Sequence, residues 1–346
     1  MPTEPSDRIH MTVAEARALS EQALAGLGYD AEEARIVADH VIDAALCGYE
    51  YSGLPKILNI PDSPYFKAPR RPIRTVRETS VSLLIDGGNN VGMLALYRAT
   101  EAAIDRAQRH GLALVCVYDS WMSGRSAYFC EMMARAGLIG IHTVSANPAV
   151  APFGGAKPTL GTNPLAFGFP TEDEPLVIDM GTSAFMATDL KFRERLGIPL
   201  PDGVALDADG RPTTDAGRAH AGALLPFGGP SGGHKGFGLA LATDALSVLC
   251  AGLRAPEDVR GYLILAFKPD LFVPLEDYRR ELSQRIAAIK ATPRQEGVAE
   301  IRIPGERSAR ERARLTRDGI AIDRKIHDAL GRLAAGRHNF GAPHAY

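Results

Sequence analysis

A continuous apolar run, LALVCV at residues 112–117, constrains the fold of this chain more than any other short segment. Such a run is typical of a strand that is buried on both faces of a sheet. It lies between two segments, residues 89–110 and 126–136, whose apolar residues recur at helical spacing. The succession of helix, buried strand and helix predicts an α/β protein.

The same two patterns predict further elements along the chain. Thr12, with Glu15 three residues later, predicts a capping box at the start of the first helix, and a second helix is expected at residues 31–46. Further strands are predicted at residues 81–86, 138–144, 176–180, 263–267 and 299–303. Further helices are predicted at residues 185–196, 235–251, 276–290, 308–316 and 323–333. Loops are expected where Pro, Gly and polar residues are dense, at residues 57–80, 148–170 and 198–234.

The composition limits the classes of protein to which the chain can belong. With 346 residues and 45% hydrophobic content, it is long enough for a large core and more than one domain. Charged residues make up 23% of the chain and sum to a net charge of -2, which argues against a nucleic-acid partner and a polybasic membrane surface. No apolar run reaches the ~18–20 residues of a transmembrane helix, and no signal peptide is visible.

The cysteines suggest a cellular compartment. Cys47, Cys116, Cys130 and Cys250 are scattered and form no CxxC pair. In a chain of this length, such spacing favours reduced thiols in a cytoplasmic protein over disulfides or zinc ligands. We therefore predict a cytoplasmic location and no metal site.

Two glycine-rich segments are candidates for a ligand site. One contains GG at residues 154–155 and GTNP at residues 161–164, and the other is GGPSGGHKG at residues 228–236. Glycine lets the backbone approach a ligand closely, and N–H groups beside Lys235 suit an anion such as phosphate. Taken alone, each cluster is more often a set of turns than a site. No G-x-G-x-x-G follows a strand and no P-loop motif is present, so neither a Rossmann nor a P-loop site is predicted.

Several longer motifs point to one family. They are APFGGAKPTLGTNPLAFGFP (151–170), VIDMGTS (177–183), GIPLPDGVALDADGRPTTD (197–215), GGHKGFGLAL (232–241), ATP (291–293) and IPGE (303–306). With these motifs the chain resembles, over essentially its whole length, the malate/L-lactate dehydrogenase family. That family also includes ureidoglycolate, diketogulonate and sulfolactate dehydrogenases and cyclic-imine reductases. The resemblance implies a non-Rossmann α/β fold with a mixed sheet and a helical N-terminal region.

The resemblance also implies a division of labour along the chain. Residues 1–75 would be a helical region that contributes to the active site, residues 76–120 with 290–346 a mixed α/β core and dimer region, and residues 121–289 a nicotinamide-binding domain. A homodimer, NAD or NADP as cofactor and a small-molecule carboxylate as substrate are implied as well. The cofactor-binding residues that the matching motifs imply are Thr162, Ile178, Asp179, Met180, Gly181, Thr182, Ser183, His234, Lys235, Gly236, Gly305, Glu306 and Arg307.

Two of these residues carry a charge whose role can be argued directly. Lys235 is suited to pair with a phosphate. Asp179 ends a predicted strand, where we expect it to hold a ribose, a nicotinamide amide or a catalytic partner. Capping of the helix that follows is the structural alternative for Asp179.

The first departure from the family pattern lies after the second helix. The family block R-G-x-x-S-H-G-x-x-R reads CGYEYSGLPK here, at residues 47–56. Tyr51 stands at the serine position, Ser52 at the histidine position and Lys56 at the second arginine position. We therefore expect altered chemistry at this block.

The second departure lies in the family block N-S-x-H-F-G, which reads DSWMSG here, at residues 119–124, with Met122 at the histidine position. Of the nine histidines, His142 and His234 lie near the cofactor motifs, but a structural role is the more common one for such residues. The substrate-binding residues that the matching positions imply are Lys56, Ser120, Met122 and Thr162.

The missing histidines leave three interpretations of the chemistry. Reduction of a ketone produces an alkoxide that needs a proton donor with a pKa near 7, which Ser52 cannot supply unaided. The first interpretation is an oxidoreductase in which Tyr51 or Tyr49, assisted by Lys56, replaces the missing acid. The second is a reductase of an already protonated imine, with Lys56 paired to the substrate carboxylate. The third is a scaffold that became a lyase, an isomerase or a binding protein. The catalytic candidates are Tyr49, Tyr51, Ser52, Lys56 and Asp179.

Overall fold

The computed structural model describes residues 7–251 and 261–337. The strands are β1 (Arg8–Met11), β2 (Arg74–Glu78), β3 (Ser82–Val91), β4 (Leu112–Trp121), β5 (Ile139–Val144), β6 (Leu165–Phe169), β7 (Leu176–Met180), β8 (Ala205–Leu206), β9 (Ala223–Leu224), β10 (Gly261–Phe267) and β11 (Ile320–Asp323). The helices are α1 (Val13–Gly26), α2 (Ala31–Leu46), α3 (Asn59–Asp62), α4 (Gly92–His110), α5 (Ser126–Arg135), α6 (Ala187–Leu196), α7 (Ala216–His220), α8 (Gly229–Ala251), α9 (Leu275–Lys290), α10 (Glu306–Asp318) and α11 (Arg324–Ala334). Within the described residues, no helix is long and apolar enough to cross a bilayer.

The chain divides into two compact units. The first comprises the described residues of Met1–Arg70 and Ser308–Tyr346, and the second is Arg71–Arg307. The resemblance divides the chain by function into three regions, 1–75, 76–120 with 290–346, and 121–289. This functional division stays a prediction.

The first unit is mainly helical. The predicted capping box of α1 is confirmed, because the Thr12 hydroxyl accepts the N–H of Glu15 while the Glu15 carboxylate accepts the N–H of Thr12. Gly26 allows α1 to approach α11 closely, since a Cβ atom there would lie 1.9 Å from the carbonyl oxygen of Leu333. The two chain ends of this unit are also joined by antiparallel pairing of β1 with β11, two strands that sequence periodicity did not predict.

The second unit is built on a seven-stranded sheet in the order β2-β3-β4-β10-β5-β6-β7. Strands β3 and β4 are parallel, and the other neighbouring strands are antiparallel. The prediction of an α/β fold with a mixed sheet is therefore confirmed. A smaller apolar cluster between residues 150 and 240, which includes Leu160, Leu190 and Leu224, anchors the long loops beside this sheet.

The apolar run on which the fold prediction began is covered unequally on its two faces. Ala113, Val115 and Val117 of β4 are fully buried in the core, together with buried residues of α4 and α5. The alternating residue Cys116 is only half-buried, and its thiol interacts with that of Cys250 on α8. The prediction that β4 is fully buried on both faces is therefore wrong, because one face is only half-buried.

Several predicted boundaries also need correction. The helix expected from residue 89 begins at Gly92, because β3 continues to Val91 after a register shift. The strand expected at residues 299–303 does not form, and the N–H of Ile303 donates to the Glu306 carboxylate at 3.2 Å instead of to a neighbouring strand.

All three predicted loops contain regular structure. The segment 148–170 includes β6, which pairs with β5 and β7 in the large sheet. The segment 57–80 includes α3 and β2, and the segment 198–234 includes β8, α7 and β9. Helix α8 begins at Gly229, six residues before the predicted start at 235. Glycine-rich composition concealed this first turn, because glycine has a low intrinsic preference for helix.

Candidate active site

Thr182, just beyond the end of β7, is the point at which three sequence motifs meet. Its N–H and its hydroxyl both donate to the carbonyl oxygen of Thr162, at 2.9 and 3.0 Å. Its own carbonyl accepts the N–H of Phe227 at 3.0 Å. Thr182 is 1% exposed, so these bonds are shielded from water. The GTNP loop is thereby fixed to the segment that follows β7.

Gly236 brings the start of α8 to the same point. A Cβ atom at Gly236 would lie 2.5 Å from the carbonyl oxygen of Phe227 and 3.0 Å from that of Thr182. Only glycine permits this approach without a backbone shift. The neighbouring His234 and Lys235 are exposed, and the His234 ring contacts the edge of Phe153.

The IPGE motif lies against β7 itself. Gly305 has a φ of 91°, and a Cβ atom there would lie 3.1 Å from the carbonyl oxygen of Val177. Glu306 is held by an ion pair with Lys290, and Arg307 is exposed. We call residues 161–164, 178–183, 234–236 and 305–307 the cofactor segments. Thr162 and Gly236 lie against Thr182, just beyond β7, whereas Gly305 lies against Val177, near the start of the same strand.

The remaining residues of the 178–183 segment differ in exposure. Ile178 is half-buried, Met180 is 37% exposed, and Ser183 is buried, with its hydroxyl donating to the carbonyl of Phe185 at 2.7 Å. Gly181 passes close to Met186, whose sulfur would lie 2.7 Å from an added Cβ atom. The exposed side of this segment is therefore formed by Met180 and Asp179.

Asp179 caps a helix, although a different one from that expected. Its Oδ2 accepts the N–H of Ala127 at 2.8 Å, in the first turn of α5, whereas the alternative considered from the sequence was the helix that follows β7. The residue presents surface to solvent, but its carboxyl group is packed among protein atoms. This desolvation raises the pKa of Asp179, and the Ala127 N–H and the Arg125 charge only partly oppose it.

Arg125 and Glu131 form an ion pair beside Asp179 that the sequence reasoning missed. The Arg125 guanidinium lies 2.8 Å from Glu131 Oε1, and both side chains are about nine-tenths buried. The only signal in the sequence was a charged residue directly before a predicted helix. The pair places a second carboxylate and one cation next to Asp179, and Arg125 favours the charged form of the Asp179 carboxyl whereas Glu131 disfavours it.

Backbone strain is concentrated in the predicted site motifs. Among the described residues, the non-glycine residues with positive φ are Asn89, Asp119, Met122 and Asn163. Asp119 and Met122 lie in the block 119–124, and Asn163 lies in the GTNP loop. Left-handed backbone is easily adopted by asparagine, aspartate and histidine but is unfavourable for methionine. Met122, with a φ of 59°, therefore occupies a conformation better suited to the histidine of the family pattern.

Two other members of the block 119–124, Ser120 and Trp121, donate hydrogen bonds to backbone carbonyls. Ser120 is 2% exposed, and its hydroxyl donates to the carbonyl of Asn90 at 2.7 Å. The Trp121 indole donates to the carbonyl of Asn89 at 3.2 Å. Met122 is half-buried.

In the first unit, residues 47–56 form two short 3₁₀ turns. Ser52 and Lys56 are buried, at 6% and 4% exposure. The rings of Tyr49 and Tyr51 meet edge to face with 6.2 Å between their centroids, and the Tyr49 hydroxyl accepts a hydrogen bond from Ser308 at 3.2 Å. The four candidates from this block are thus gathered in one short stretch. We call residues 47–56 and 119–124 the substrate blocks.

His142 is a core residue. It is fully buried on β5, its Nδ1 lies 3.1 Å from the carbonyl oxygen of Leu263, and its ring packs against Phe129 and Tyr262. Burial lowers the pKa of His142 to about 4, so the ring is neutral at physiological pH. These contacts favour a structural role for this histidine.

Comparison with known proteins agrees with this arrangement. A model of the family described as malate/L-lactate dehydrogenase matches residues 11–331. The L-sulfolactate dehydrogenase of Methanocaldococcus jannaschii is 33% identical over 320 residues, which cover 88% of this chain and 90% of that protein. The malate dehydrogenase structure from Pyrococcus horikoshii OT3 superposes with a TM-score of 0.85 at 30% identity, covering 96% of this chain and 97% of that one.

A third relative is a reductase by its description. The structure of the Δ1-piperideine-2-carboxylate reductase from Pseudomonas syringae superposes with a TM-score of 0.77 at 27% identity, covering 94% of this chain and 99% of that one. The family match spans nearly all of the described residues, including both substrate blocks and all of the cofactor segments. The chain belongs to the malate/L-lactate dehydrogenase family of oxidoreductases.

Proposed function

We propose that this chain transfers hydride between NAD(P)H and a small 2-oxo acid, 2-hydroxy acid or cyclic imino acid, and that its proton chemistry differs from that of the family. The main support for hydride transfer with NAD(P)H is that the GTNP, MGTS and HKG motifs meet at Thr182. Contacts between backbone groups build this convergence, so it depends on the very glycines and threonines that the cofactor motifs contain.

The residues at this point fit a nicotinamide dinucleotide. Lys235 is exposed and forms no ion pair with any described residue, so its ammonium group is available to a phosphate. It lies near the start of a 23-residue helix, whose first N–H groups also favour an anion. Asp179 and Met180 form the exposed edge of the neighbouring segment. When bound, the reduced nicotinamide would supply the hydride, with NAD and NADP both compatible with these residues.

The proton donor for a ketone substrate would come from the block 47–56. Tyr51 and Tyr49 lie together there, and buried Lys56 belongs to the same short stretch. A buried ammonium group stabilises a nearby phenolate and so makes the phenol a stronger acid. Ser52, which stands where the family has a histidine, is buried and would orient substrate rather than donate a proton.

Reduction of a cyclic imine is the second candidate reaction. A protonated imine accepts hydride without further proton transfer, so the loss of both histidines would cost such an enzyme less. The likeness to the Δ1-piperideine-2-carboxylate reductase supports this alternative. In it, Lys56 would hold the carboxylate of the imino acid as a point charge.

A scaffold without redox chemistry, whether a lyase, an isomerase or a binding protein, is the third candidate. This candidate is less well supported, because a protein without redox chemistry would not need cofactor segments that suit a nicotinamide dinucleotide. Binding of reduced cofactor separates it from the first two candidates.

A homodimer is part of the proposal, and helix α8 supports it. Leu241, Val248 and Leu249 on this helix are more than half exposed, and Leu239 and Leu246 are exposed by about a third. Lys235 and Asp244 are the only Lys, Arg, Asp or Glu residues in the 23-residue helix. An apolar surface of this kind marks a protein contact, and in this family a second copy of the chain is the expected partner.

The deciding experiment offers the purified protein NADH and NADPH and follows both dihydronicotinamide fluorescence and quenching of the single tryptophan, Trp121. We expect saturable binding of at least one cofactor. A protein that binds neither would contradict both redox candidates. Turnover of a cyclic imino acid and of the matched 2-oxo acid then separates them, since faster ketone reduction would count against the imine alternative.

A further inference from the structure

Asn163 joins three separate segments of the second unit. It is fully buried, and its Oδ1 accepts the N–H of Ala146 at 3.0 Å. Its Nδ2 donates to the carbonyl of Ala240 at 3.1 Å and to the Asp244 carboxylate at 2.8 Å. All of the hydrogen-bonding groups of this amide, apart from one acceptor lone pair, are therefore used.

Asp244 is the fixed end of this arrangement. It is the only acidic residue in the sequence of α8, a helix that is otherwise largely apolar. Its Oδ1 accepts the Asn163 amide and also the hydroxyl of Ser145 at 2.7 Å. Asp244 is half-buried, and through these bonds it ties α8 to the GTNP loop and to Ser145.

The opposite side of the GTNP loop is the cofactor segment. Thr162, next to Asn163, accepts both donors of Thr182 through its carbonyl oxygen. The loop is tightly constrained between these contacts, because a Cβ atom at Gly161 would lie 2.5 Å from the Ala146 carbonyl oxygen. Asn163 itself has a left-handed backbone, with a φ of 35°. Hydrogen bonds thus join Asp244 to Asn163 and Thr162 to Thr182, and the peptide bond between Thr162 and Asn163 connects the two contacts.

We propose that Asp244 and Asn163 are positioning residues, which hold the GTNP loop so that Thr162 and Thr182 present the correct backbone surface to the nicotinamide cofactor. This inference rests on the proposed function. It assigns to α8 a second role besides carrying Lys235, since the middle of the same helix sets the position of the loop. Without the Asp244 acceptor, the buried Asn163 amide would lose a partner and the strained loop would relax away from Thr182.

The test compares variants of the full-length chain by cofactor affinity. Asp244→Ala removes the acceptor, and we expect NADH or NADPH to bind roughly tenfold more weakly, with a rise in the cofactor KM larger than the fall in kcat. Asp244→Asn keeps an oxygen that accepts both bonds, and we expect its affinity to stay within about twofold of the wild type. Ser145→Ala is the matched control, because it removes a neighbouring bond to Asp244 but leaves the Asn163 bond intact.

A purely structural role predicts a different result. In that case Asp244→Ala would lower Tm while each folded molecule kept the wild-type cofactor affinity, and this outcome would overturn the inference. If Asp244→Ala does not fold, the positioning role is tested with variants in which residues 163 and 244 exchange their donor and acceptor groups. Asn163→Asp places two carboxylates together and should weaken cofactor binding, and the double variant Asn163→Asp with Asp244→Asn should recover part of the affinity.

The two proposals fail in different ways. If the wild-type protein binds neither NADH nor NADPH, the proposed function itself is wrong. If the wild type binds cofactor and Asp244→Ala and Asn163→Asp bind it equally well, only the positioning role is wrong.

Discussion

The cofactor segments and the substrate blocks of this protein are specified in different ways. Around Thr182, geometry is set by backbone carbonyls, backbone N–H groups and glycines that no larger residue can replace. In the substrate blocks, the proposed chemistry depends on side chains, and the backbone can persist when they change. Met122 illustrates this point, because it retains a left-handed backbone that suits the histidine of the family pattern. Cofactor binding and proton transfer can therefore change independently within one fold.

The largest effect is expected at Gly236. In the variant Gly236→Ala, the new Cβ atom would lie 2.5 Å from the Phe227 carbonyl oxygen, so the start of α8 must move away from Thr182. We expect cofactor affinity, measured by dihydronicotinamide fluorescence, to fall by about two orders of magnitude or more. Gly238→Ala is the control, since a Cβ atom there meets nothing within 4 Å. Equal affinity for both variants would refute the backbone argument.

Tyr51→Phe tests the proton chemistry of the substrate blocks. If Tyr51 is the rebuilt acid, kcat for a 2-oxo acid should fall by roughly a hundredfold or more while cofactor affinity is unchanged. The same variant should reduce a protonated cyclic imine with a much smaller loss. Undiminished ketone turnover would eliminate Tyr51 as the acid and leave Tyr49 to be tested in the same way.

His142 should affect stability rather than catalysis. Its pKa is lowered from 6.5 to about 4 by burial, so between these pH values the unfolded chain binds a proton that the folded chain does not. The contribution of His142 to the free energy of unfolding is therefore fully present above pH ~6.5. It decreases as the pH falls, and the loss reaches about 3 kcal/mol near pH 4. Denaturant unfolding of wild type and His142→Phe should show this difference in pH dependence. A loss of turnover in folded His142→Phe would instead indicate a catalytic role.

Lys235→Ala should have a moderate effect. Loss of one charge-assisted hydrogen bond to a phosphate corresponds to about 2 kcal/mol, or a roughly thirtyfold weaker cofactor complex. The difference should shrink with increasing salt, because the Lys235 ammonium is exposed. Lys325→Ala, which removes an exposed charge from α11, should leave the affinity unchanged. Salt-independent binding in Lys235→Ala and wild type alike would argue against a phosphate contact.

The smallest effect is expected for Met122→His. Histidine adopts left-handed backbone more readily than methionine, so stability should change by less than about 1 kcal/mol. If the side chain of residue 122 faces the substrate, the pH profile of ketone reduction should gain a group that titrates near pH 6.5. An unchanged profile would place residue 122 away from the reacting atoms.

Sequence patterns predicted the fold class and most elements of the second unit, because apolar periodicity reports directly on burial. They failed where tertiary contacts replace local signals. Strands β1 and β11 pair across more than 300 residues, so neither shows a local pattern. The segment 299–303 has the alternation of a strand but forms none, and the N–H of Ile303 donates to the nearby Glu306 carboxylate.

The sequence by itself predicted which residues belong to the cofactor segments, because their glycines, Lys235 and the GTNP motif are recognisable without coordinates. It also determined that histidine is absent from both substrate blocks. Only the tertiary structure decided that Asp179 caps α5, that Arg125 and Glu131 accompany it, and that Asp244 reaches Asn163 across 81 residues of chain. The physical reason is that hydrogen bonds and ion pairs between distant segments depend on how the elements pack, and one sequence read alone carries no record of which partners that packing brings within 3 Å.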